Sequence, residues 1–516
     1  MDFTRKFESP ENMSFLTTFA IGFTTHLFGF INVIHNFDDI ANLPAGSGAG
    51  IISGRWFLTI LDTLFTKIGI TYNLPYVNAI LFILLLSVSV KYMIHILEIK
   101  NRASAILIGA VFVVFPSVTS TLFYRFTTVI YGIAILCAVM AVWCVKRFKF
   151  GIILSIFLIA CSLGIYQAYV TITISLMVIE LLRNNLTKNS EAKDMIKQGA
   201  TYVGTLILGL VTYYILLKIC LMAFHAQLST YKGIDKMGVI EIAQLPGLLK
   251  RTFYGFVSIV FDDYKGVSQT SMIQLGILLL GCICVGLIIL TLKAHKKKLD
   301  SVVLTFLLCA IFPFAINFIV IMCPIGNIYT LMVYSFALIF IVPFVLLEII
   351  EPLQFSEKLF SNCKKYIKKA VLFVTLAIIL NYAYLANLNY TQLYYTTRKT
   401  ENYMSSLVLQ VRMTEGFNTS LKWAFIGNYF QDSLLHNNWE GVSLYGGNTS
   451  PLVLINSYSR NSWISNYFGY NIPFAHESQL DELEKNTKVM DMPCFPDDGS
   501  IQIIDDVVVI KLENIE

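Results

Sequence analysis

Runs of about 20 apolar residues recur along the first 390 or so residues, and they constrain the fold more than any other feature. A helix of that length crosses the roughly 30 Å hydrocarbon core of a bilayer. Inside lipid the backbone must satisfy its own hydrogen bonds, so such runs are helices. Only 14% of the 516 residues are charged, against about 25% in soluble domains. The sequence therefore predicts a polytopic α-helical membrane protein.

Eleven transmembrane helices are predicted. The fifth and sixth come from one continuous apolar stretch, which we divide at Tyr166-Gln167 because it is too long for one untilted span. This division also places every strongly basic loop on the side of the N-terminus, as the positive-inside rule requires. The spans are 13–34, 74–97, 103–119, 127–145, 150–165, 167–183, 199–222, 271–292, 301–322, 328–350 and 369–388.

Three polar regions are then predicted to face away from the cytoplasm: 35–73, 223–270 and everything after about 389. The N-terminus is predicted to be cytoplasmic. Its first residues are polar and no small-residue cleavage site follows the first apolar run, so that run is interpreted as a retained span rather than a signal peptide. The first two outer regions contain apolar-periodic segments, Trp56–Ile68 and Val239–Phe261, which are typical of helices lying along a membrane surface.

The last 125 or so residues differ in composition from the rest of the chain. Strand-like runs at Trp423–Ile426 and Val507–Ile510 alternate with turn signals. We therefore predict two domains, a transmembrane domain at 1–389 and a small extracytoplasmic α/β domain at 390–516.

Two groups in the first outer region could carry chemistry. Asp38 and Asp39 are adjacent carboxylates just beyond the first span, and one of them could serve as a general base. The alternative is a solvated loop with two ordinary acids. Arg55 follows a glycine-rich stretch and could hold a phosphate through two hydrogen bonds. Alternatively, Arg55 and Trp56 are an interfacial anchor pair.

Polar side chains also lie at the predicted outer ends of later spans. A charged side chain such as Arg125 is energetically unfavourable there unless it has a partner. Arg125 therefore either binds a ligand or extends to lipid phosphates. Gln167, between Tyr166 and Tyr169, either caps a helix end or lines a sugar site, together with these tyrosines and Trp56. The ten cysteines show no metal-ligand spacing, and no other cluster of metal ligands is visible in the sequence. No cofactor is therefore required, and a divalent metal stays open as an alternative.

The segments Asp38-Asp39, Ser53-Gly54-Arg55-Trp56, Phe115-Pro116 to Arg125 and Tyr166-Gln167-Ala168-Tyr169, in this order and on this side of the membrane, resemble the bacterial type II O-antigen glucosyltransferase family. These are serotype-converting enzymes of the GT-C superfamily. The resemblance implies that residues 1–389 form a GT-C-like catalytic domain in the bacterial cytoplasmic membrane. It also implies inverting transfer of a sugar, expected to be glucose, outside the cytoplasm.

The donor implied by the resemblance is undecaprenyl phosphate glucose or a similar polyprenyl phosphate sugar, and the acceptor is a surface polysaccharide; no nucleic acid is involved. Asp38 or Asp39 would deprotonate the acceptor hydroxyl. Arg55 and Arg125 would stabilise the phosphate leaving group. The alternatives are a transporter or flippase of lipid-linked glycans, a polysaccharide polymerase or ligase, and a non-catalytic scaffold. A transporter would be expected to show matched halves and broken helices at the bilayer midplane, which the sequence lacks.

Overall fold

The computed structural model describes residues 8–42, 44–46, 48–70, 72–187, 191–236, 238, 241–325, 327–352, 358–427, 439, 444–448 and 453–514. Most of these residues are helical. The helices are α1 (Pro10–Ile31), α2 (Phe37–Ala41), α3 (Trp56–Lys67), α4 (Pro75–Ile96), α5 (Arg102–Val114), α6 (Pro116–Leu122), α7 (Thr128–Arg147), α8 (Gly151–Ile165), α9 (Val170–Leu186), α10 (Ala192–Ala223), α11 (Leu245–Ser258), α12 (Ser271–Ala294), α13 (Leu299–Ile316), α14 (Ile319–Met322), α15 (Val342–Ile350), α16 (Lys358–Met413), α17 (Arg460–Ser462), α18 (Glu477–Glu484) and α19 (Thr487–Met490).

The remaining regular elements are shorter. They are 3₁₀ helices at Ile51–Ser53, Gln167–Tyr169, Tyr231–Lys236, Ile242–Gln244 and Thr330–Phe340, a π helix at Trp463–Tyr467, and strands β1 (Lys422–Ile426), β2 (Ile501–Ile504) and β3 (Val507–Lys511).

The described helices agree with a polytopic membrane protein. Eight of them are long and apolar enough to cross a bilayer, or nine if α5 and α6 are counted as one bent span. Each of the eleven predicted spans coincides with helix, but α8 has only 15 residues and α9 only 17. The count of eleven therefore stays a prediction.

Two breaks in the helices follow from the local sequence. α5 and α6 meet at an angle of 45°, where Pro116 lacks the amide hydrogen that would continue the helix. α8 ends at Ile165 and Tyr166 is extended, with φ −152° and ψ 110°. The helix therefore breaks where the long apolar stretch was predicted to divide, whereas the assignment of its two parts to separate spans stays a prediction.

Both predicted surface segments contain helix. α3 matches the first, and α11 lies within the second, whose predicted first residue, Val239, is outside the described residues. Both helices leave large apolar side chains exposed, among them Leu64 on α3 and Phe253 on α11. Such a face suits contact with lipid.

Small residues allow the first helices to approach closely. α1 packs against α4 and α5. A Cβ at Gly22 would lie 2.6 Å from Val113 Cγ2 and 2.9 Å from Ile83 Cγ2, so only glycine fits between these side chains. The ring of His26 is fully buried, and its Nε2 lies 2.9 Å from the Val113 carbonyl oxygen.

An ionic network joins helix ends on the side predicted to be cytoplasmic. Lys146 Nζ lies 2.9 Å from Glu98 Oε1 and 3.4 Å from Glu180 Oε1. Arg183 pairs with the other oxygen of Glu98. The Tyr202 hydroxyl donates to Glu180 Oε2 at 2.5 Å. Because these side chains come from α7, α9, α10 and the segment after α4, the network ties four parts of the chain together.

The chain divides into two compact units. The first comprises 1–31, 47–387 and 443–446, and the second comprises 32–46, 388–442 and 447–516. The segment with Asp38 and Asp39 therefore belongs to the same unit as the C-terminal residues. On α16 the boundary falls after Asn387, and the helix continues past the predicted domain boundary to Met413. The assignment of a catalytic and an outer domain stays a prediction.

The second unit contains a three-stranded sheet in the order β1-β3-β2. β1 is parallel to β3, with Trp423 opposite Val508, and β2 is antiparallel to it. The two runs predicted to be strands are therefore strands. Their buried face packs on α18 and α19 through residues that include Ala424, Leu483 and Val489.

Candidate active site

The Ser-Gly-Arg-Trp segment forms a tight turn ahead of α3. Gly54 adopts a left-handed conformation, with φ +73°, which glycine adopts without steric cost. A Cβ at this position would lie 2.8 Å from the Tyr213 hydroxyl oxygen and 3.0 Å from Gln167 Nε2. The glycine thus permits both the turn and the close approach of two side chains that hold it.

Trp56, the first residue of α3, anchors this turn. Its side chain is 4% exposed and packs in a cluster with Cys161 and Leu217. A Cβ at Gly164 would lie 2.6 Å from the indole ring, so α8 must carry glycine here. The burial of Trp56 fixes the start of α3, and with it the position of Arg55. A sugar-binding role for Trp56 stays a prediction.

Arg55 lies in a pocket of phenol rings. Its Nη1 donates to the Tyr131 hydroxyl at 3.2 Å, and its Cζ lies 4.9 Å from the centre of the Tyr166 ring. Among the residues that the structure describes, its Nε has no hydrogen-bond partner and no carboxylate lies within ion-pair distance. Cation–π contact partly offsets the loss of water around the guanidinium. Because no carboxylate among the described residues pairs with Arg55, its positive charge is available to an anionic ligand.

Three tyrosines form the wall of this pocket. The rings of Tyr131 and Tyr166 are stacked at 4.7 Å, and Tyr169 stands edge-on to them at 5.9 and 5.2 Å. All three are at most 6% exposed. Burial raises the pKa of Tyr166, so its phenol stays neutral. Burial alone would lower the pKa of Arg55, but the surrounding tyrosines raise it, and the side chain remains charged.

Gln167 holds the turn in place. Its Nε2 donates to the Ser53 carbonyl oxygen at 3.0 Å and to the Tyr213 hydroxyl at 3.3 Å. The Tyr213 hydroxyl in turn donates to the Gly54 carbonyl oxygen at 3.0 Å. The amide thus positions Arg55 through the backbone of the turn. A direct sugar-binding role for Gln167, Tyr166 or Tyr169 stays a prediction.

Arg125 is 6% exposed and lies between α6 and α7. Its Nη2 donates to the Gly29 carbonyl oxygen at 2.8 Å. Its own carbonyl oxygen accepts from Asn78 Nδ2 at 3.1 Å. These bonds fix the segment between α6 and α7 to α1 and α4. Arg125 therefore positions the segment between α6 and α7. Its contact with the donor phosphate stays a prediction.

Asp38 and Asp39 lie in the first turn of the short helix α2. Asn36 caps this helix, since its Oδ1 accepts from the Asp39 amide at 2.7 Å. Asn42 Nδ2 donates to the Asp38 carbonyl oxygen at 2.7 Å. The Asp39 side chain is 3% exposed, whereas Asp38 is partly exposed. The acidic pair therefore lies on an ordered turn, and its two members differ in their access to water.

Sequence reasoning missed Tyr131 and Tyr213, which complete the surroundings of Arg55. Both lie within apolar helices, where a tyrosine usually only packs. Their contacts reach residues 76 and 159 positions away in the chain, so no local pattern indicated them. Within the described residues no group of three or more His, Cys, Asp or Glu side chains is arranged to hold a metal ion.

Comparison with known proteins adds one match. A family model described as Glucosyl transferase GtrII matches residues 27–340. The matched range includes the acidic turn, the Arg55 pocket and Arg125. No curated protein and no solved structure matches the chain.

Proposed function

Because the chain belongs to the glucosyl transferase GtrII family, we propose that it transfers glucose from a polyprenyl-phosphate-linked donor to a cell-surface polysaccharide. The reaction is proposed to take place on the outer side of the bacterial cytoplasmic membrane. A polytopic membrane protein suits a lipid-linked donor. The lipid tail of the donor stays in the bilayer while the phosphate and sugar of the donor reach the interface.

The Arg55 pocket is the observation that carries this proposal. A guanidinium with no acidic partner among the described residues is suited to an anion, and a phosphate can accept two of its hydrogen bonds. During transfer the bond between the glucose C1 and the phosphate oxygen breaks, and the electron pair leaves with the phosphate. A cation held in place by Tyr131 and Tyr166 stabilises this developing charge without having to reorganise.

The acceptor hydroxyl is the nucleophile in this reaction. Its oxygen attacks C1 from the face opposite the phosphate, so a single displacement inverts the configuration. Its proton passes to a carboxylate, and we assign this role to Asp39, with Asp38 as the alternative. Arg125 is proposed as a second group that stabilises the negative charge of the departing phosphate.

The assignment of Arg55 can be tested with purified protein in detergent, a synthetic polyprenyl phosphate glucose and an acceptor glycan. Arg55→Ala is expected to lower the transfer rate by about a hundredfold, the typical effect of removing one such donor. Arg55→Lys should restore only part of the rate, because an ammonium group can neither stack in the same way nor bind in a bidentate manner. Arg125→Ala is also expected to lower transfer more than it lowers stability.

Arg102→Ala is the matched control, since Arg102 is an exposed arginine whose side chain pairs with Glu8 at 2.8 Å. This variant should transfer at the wild-type rate. If Arg55→Ala and Arg125→Ala both kept near-normal rates, the phosphate site would lie elsewhere. If the wild-type protein transferred no glucose from any polyprenyl phosphate donor, the proposed function would be wrong.

A further inference from the structure

A second polar site lies in the first unit, beside α11. It is a half-open cleft of about 390 Å³ whose lining includes Arg251, Tyr254, Ser258, Asp262, Lys265 and Asn327. This volume is within the range of small-ligand sites. The cleft belongs to the outer region predicted at 223–270 and to the segment after α14, and none of its residues contributes to the Arg55 pocket.

The walls of the cleft are held by buried hydrogen bonds. Asn317 is fully buried; its Nδ2 donates to the Thr252 carbonyl oxygen at 3.0 Å, and its Oδ1 accepts from the Tyr264 hydroxyl at 3.1 Å. A Cβ at Gly255 would lie 2.7 Å from both side chains. These contacts fix α11 against Tyr264, so the cleft is largely preformed.

A tight turn at Asp263 forms part of the lining of the cleft. Asp263 Oδ1 accepts from the amides of Gly266, at 3.0 Å, and Ser268, at 3.2 Å. Arg251, another lining residue, donates from Nη1 to the Pro324 carbonyl oxygen at 3.0 Å. The Asp263 carboxylate therefore shapes the turn, while Arg251 still has further donors to offer.

The charges that line the cleft balance. Arg251 and Lys265 carry positive charge, and Asp262 and Asp263 carry negative charge. Among the residues that the structure describes, Arg251, Lys265 and Asp262 form no ion pair with one another or with other side chains. A phosphate would meet two carboxylates here, so a free anion is a poor occupant. A neutral ligand with many hydroxyl groups can use both the acceptors and the donors.

An aromatic ring completes this arrangement. The Tyr254 side chain is 71% exposed at the cleft. The C–H face of a sugar ring packs on an exposed aromatic face while its hydroxyls bind the surrounding polar groups. From the exposed ring, the balanced charges and the rigid walls, we infer that this cleft binds neutral sugar residues of the acceptor glycan. This inference rests on the proposed function, and it assigns acceptor recognition to residues other than those that handle the donor phosphate.

The cleft can be tested with two variants that leave its buried supports unchanged. Tyr254→Ala removes the exposed ring, and Asn327→Trp fills the opening from an exposed position. Tyr214→Ala is the matched control, because Tyr214 is a 57% exposed tyrosine on α10 outside the cleft. Binding of neutral oligosaccharides released from the cell's own surface polysaccharide would be measured by saturation-transfer NMR on the full-length protein, together with KM for this acceptor and for the donor.

In both cleft variants, binding is expected to weaken and KM for the acceptor to rise at least about tenfold, which corresponds to roughly 1.4 kcal/mol. KM for the donor should stay within about twofold of the wild-type value. Tyr214→Ala should match the wild type in every measurement. Unchanged acceptor binding in both cleft variants would overturn the inference, as would binding of inorganic phosphate that depends on Arg251.

The two proposals fail in different ways. If the wild-type protein binds the oligosaccharide through Tyr254 but transfers no glucose, the cleft is a sugar-binding site and the proposed function is wrong. If transfer occurs and both cleft variants keep the wild-type KM for the acceptor, the proposed function stands and the cleft assignment is wrong.

Discussion

Asp38 and Asp39 are neighbours in the chain, but their side chains have different surroundings. Asp39 is almost fully buried, whereas Asp38 remains partly exposed. A base that takes a proton from a sugar hydroxyl works best in a site that excludes bulk water, because every electrostatic interaction is stronger there. This difference favours Asp39 as the proposed base and leaves Asp38 to shape the turn.

The first prediction concerns this pair. Asp39→Asn keeps the shape and removes the basicity, so transfer is expected to fall by about 100- to 10,000-fold, the range typical of general base catalysis. Asp38→Asn should have a milder effect. Initial rates with a synthetic donor, together with donor binding and protein yield, measure both. Full turnover in the double variant would remove the catalytic interpretation of this turn.

At the scale of elements, the packing of α3 on α8 decides where Arg55 lies. The contact depends on Gly164, whose missing side chain admits the indole of Trp56. Backbone strain is not involved, since Gly164 is helical. The position of the guanidinium is thus set by a glycine on another helix.

Gly164→Ala is therefore expected to destabilise the protein by about 1–3 kcal/mol, the usual cost of overpacking, and to lower transfer by displacing α3. Gly204→Ala on α10 is the control, because a Cβ there meets nothing within 4 Å. That change should be neutral or stabilising by about 0.4–1 kcal/mol. Thermal unfolding in detergent compares the two, and equal melting temperatures would contradict the proposed role of this contact.

The ionic network at the helix ends gives a prediction about pH. Burial alone would raise the pKa of Glu98, but Lys146 and Arg183 lower it below the usual 4.5. The ionised side chain therefore stabilises the folded state at pH values above 4.5, and this contribution is lost as the pH falls through the lowered value. Because Glu98 is 43% exposed, the effect should be below about 1 kcal/mol.

Glu98→Gln should therefore lack the part of the folding stability that the ionised Glu98 side chain contributes. The difference in melting temperature between wild type and variant is expected to shrink as the pH falls from neutral to below 4. A difference that stayed constant over this range would show that ionisation of Glu98 does not contribute.

At the scale of the whole molecule, the sequence predicted what depends on local pattern. Apolar runs predicted the helices of the first unit, and the excessive length of one run predicted the break at Tyr166. Strand-like runs, one with two aromatic residues and one of β-branched residues, predicted β1 and β3. The continuation of α16 to Met413 was missed because its residues after Asn389 are too polar to count as a span, although they remain helical. The surroundings of Arg55 were only partly predicted, because Tyr131 and Tyr213 reach the turn through tertiary packing.

The predicted topology can be tested with an impermeant thiol reagent on intact cells. In a protein carrying Cys494→Ser, the exposed position Asp498→Cys is expected to react from outside. The exposed position Lys193→Cys should react only after the cells are permeabilised. The reverse pattern would place residues after 389 in the cytoplasm, and the proposed side of the reaction would then be wrong.

The shortness of α8 has a consequence for the surrounding lipid. A helix of 15 residues is about 22 Å long, whereas the hydrocarbon core is roughly 30 Å thick. A span of this length would be accommodated by local thinning of the bilayer or by flanking residues that extend to the interface, at a modest cost for each ångström of mismatch. The large exposed apolar side chains of α8, Ile153 and Phe157 among them, lie in its first half, so this is where lipid would meet the helix. If α8 is a span, as predicted, the protein should melt at a higher temperature in vesicles of lipids with shorter acyl chains than in thick, sterol-rich vesicles.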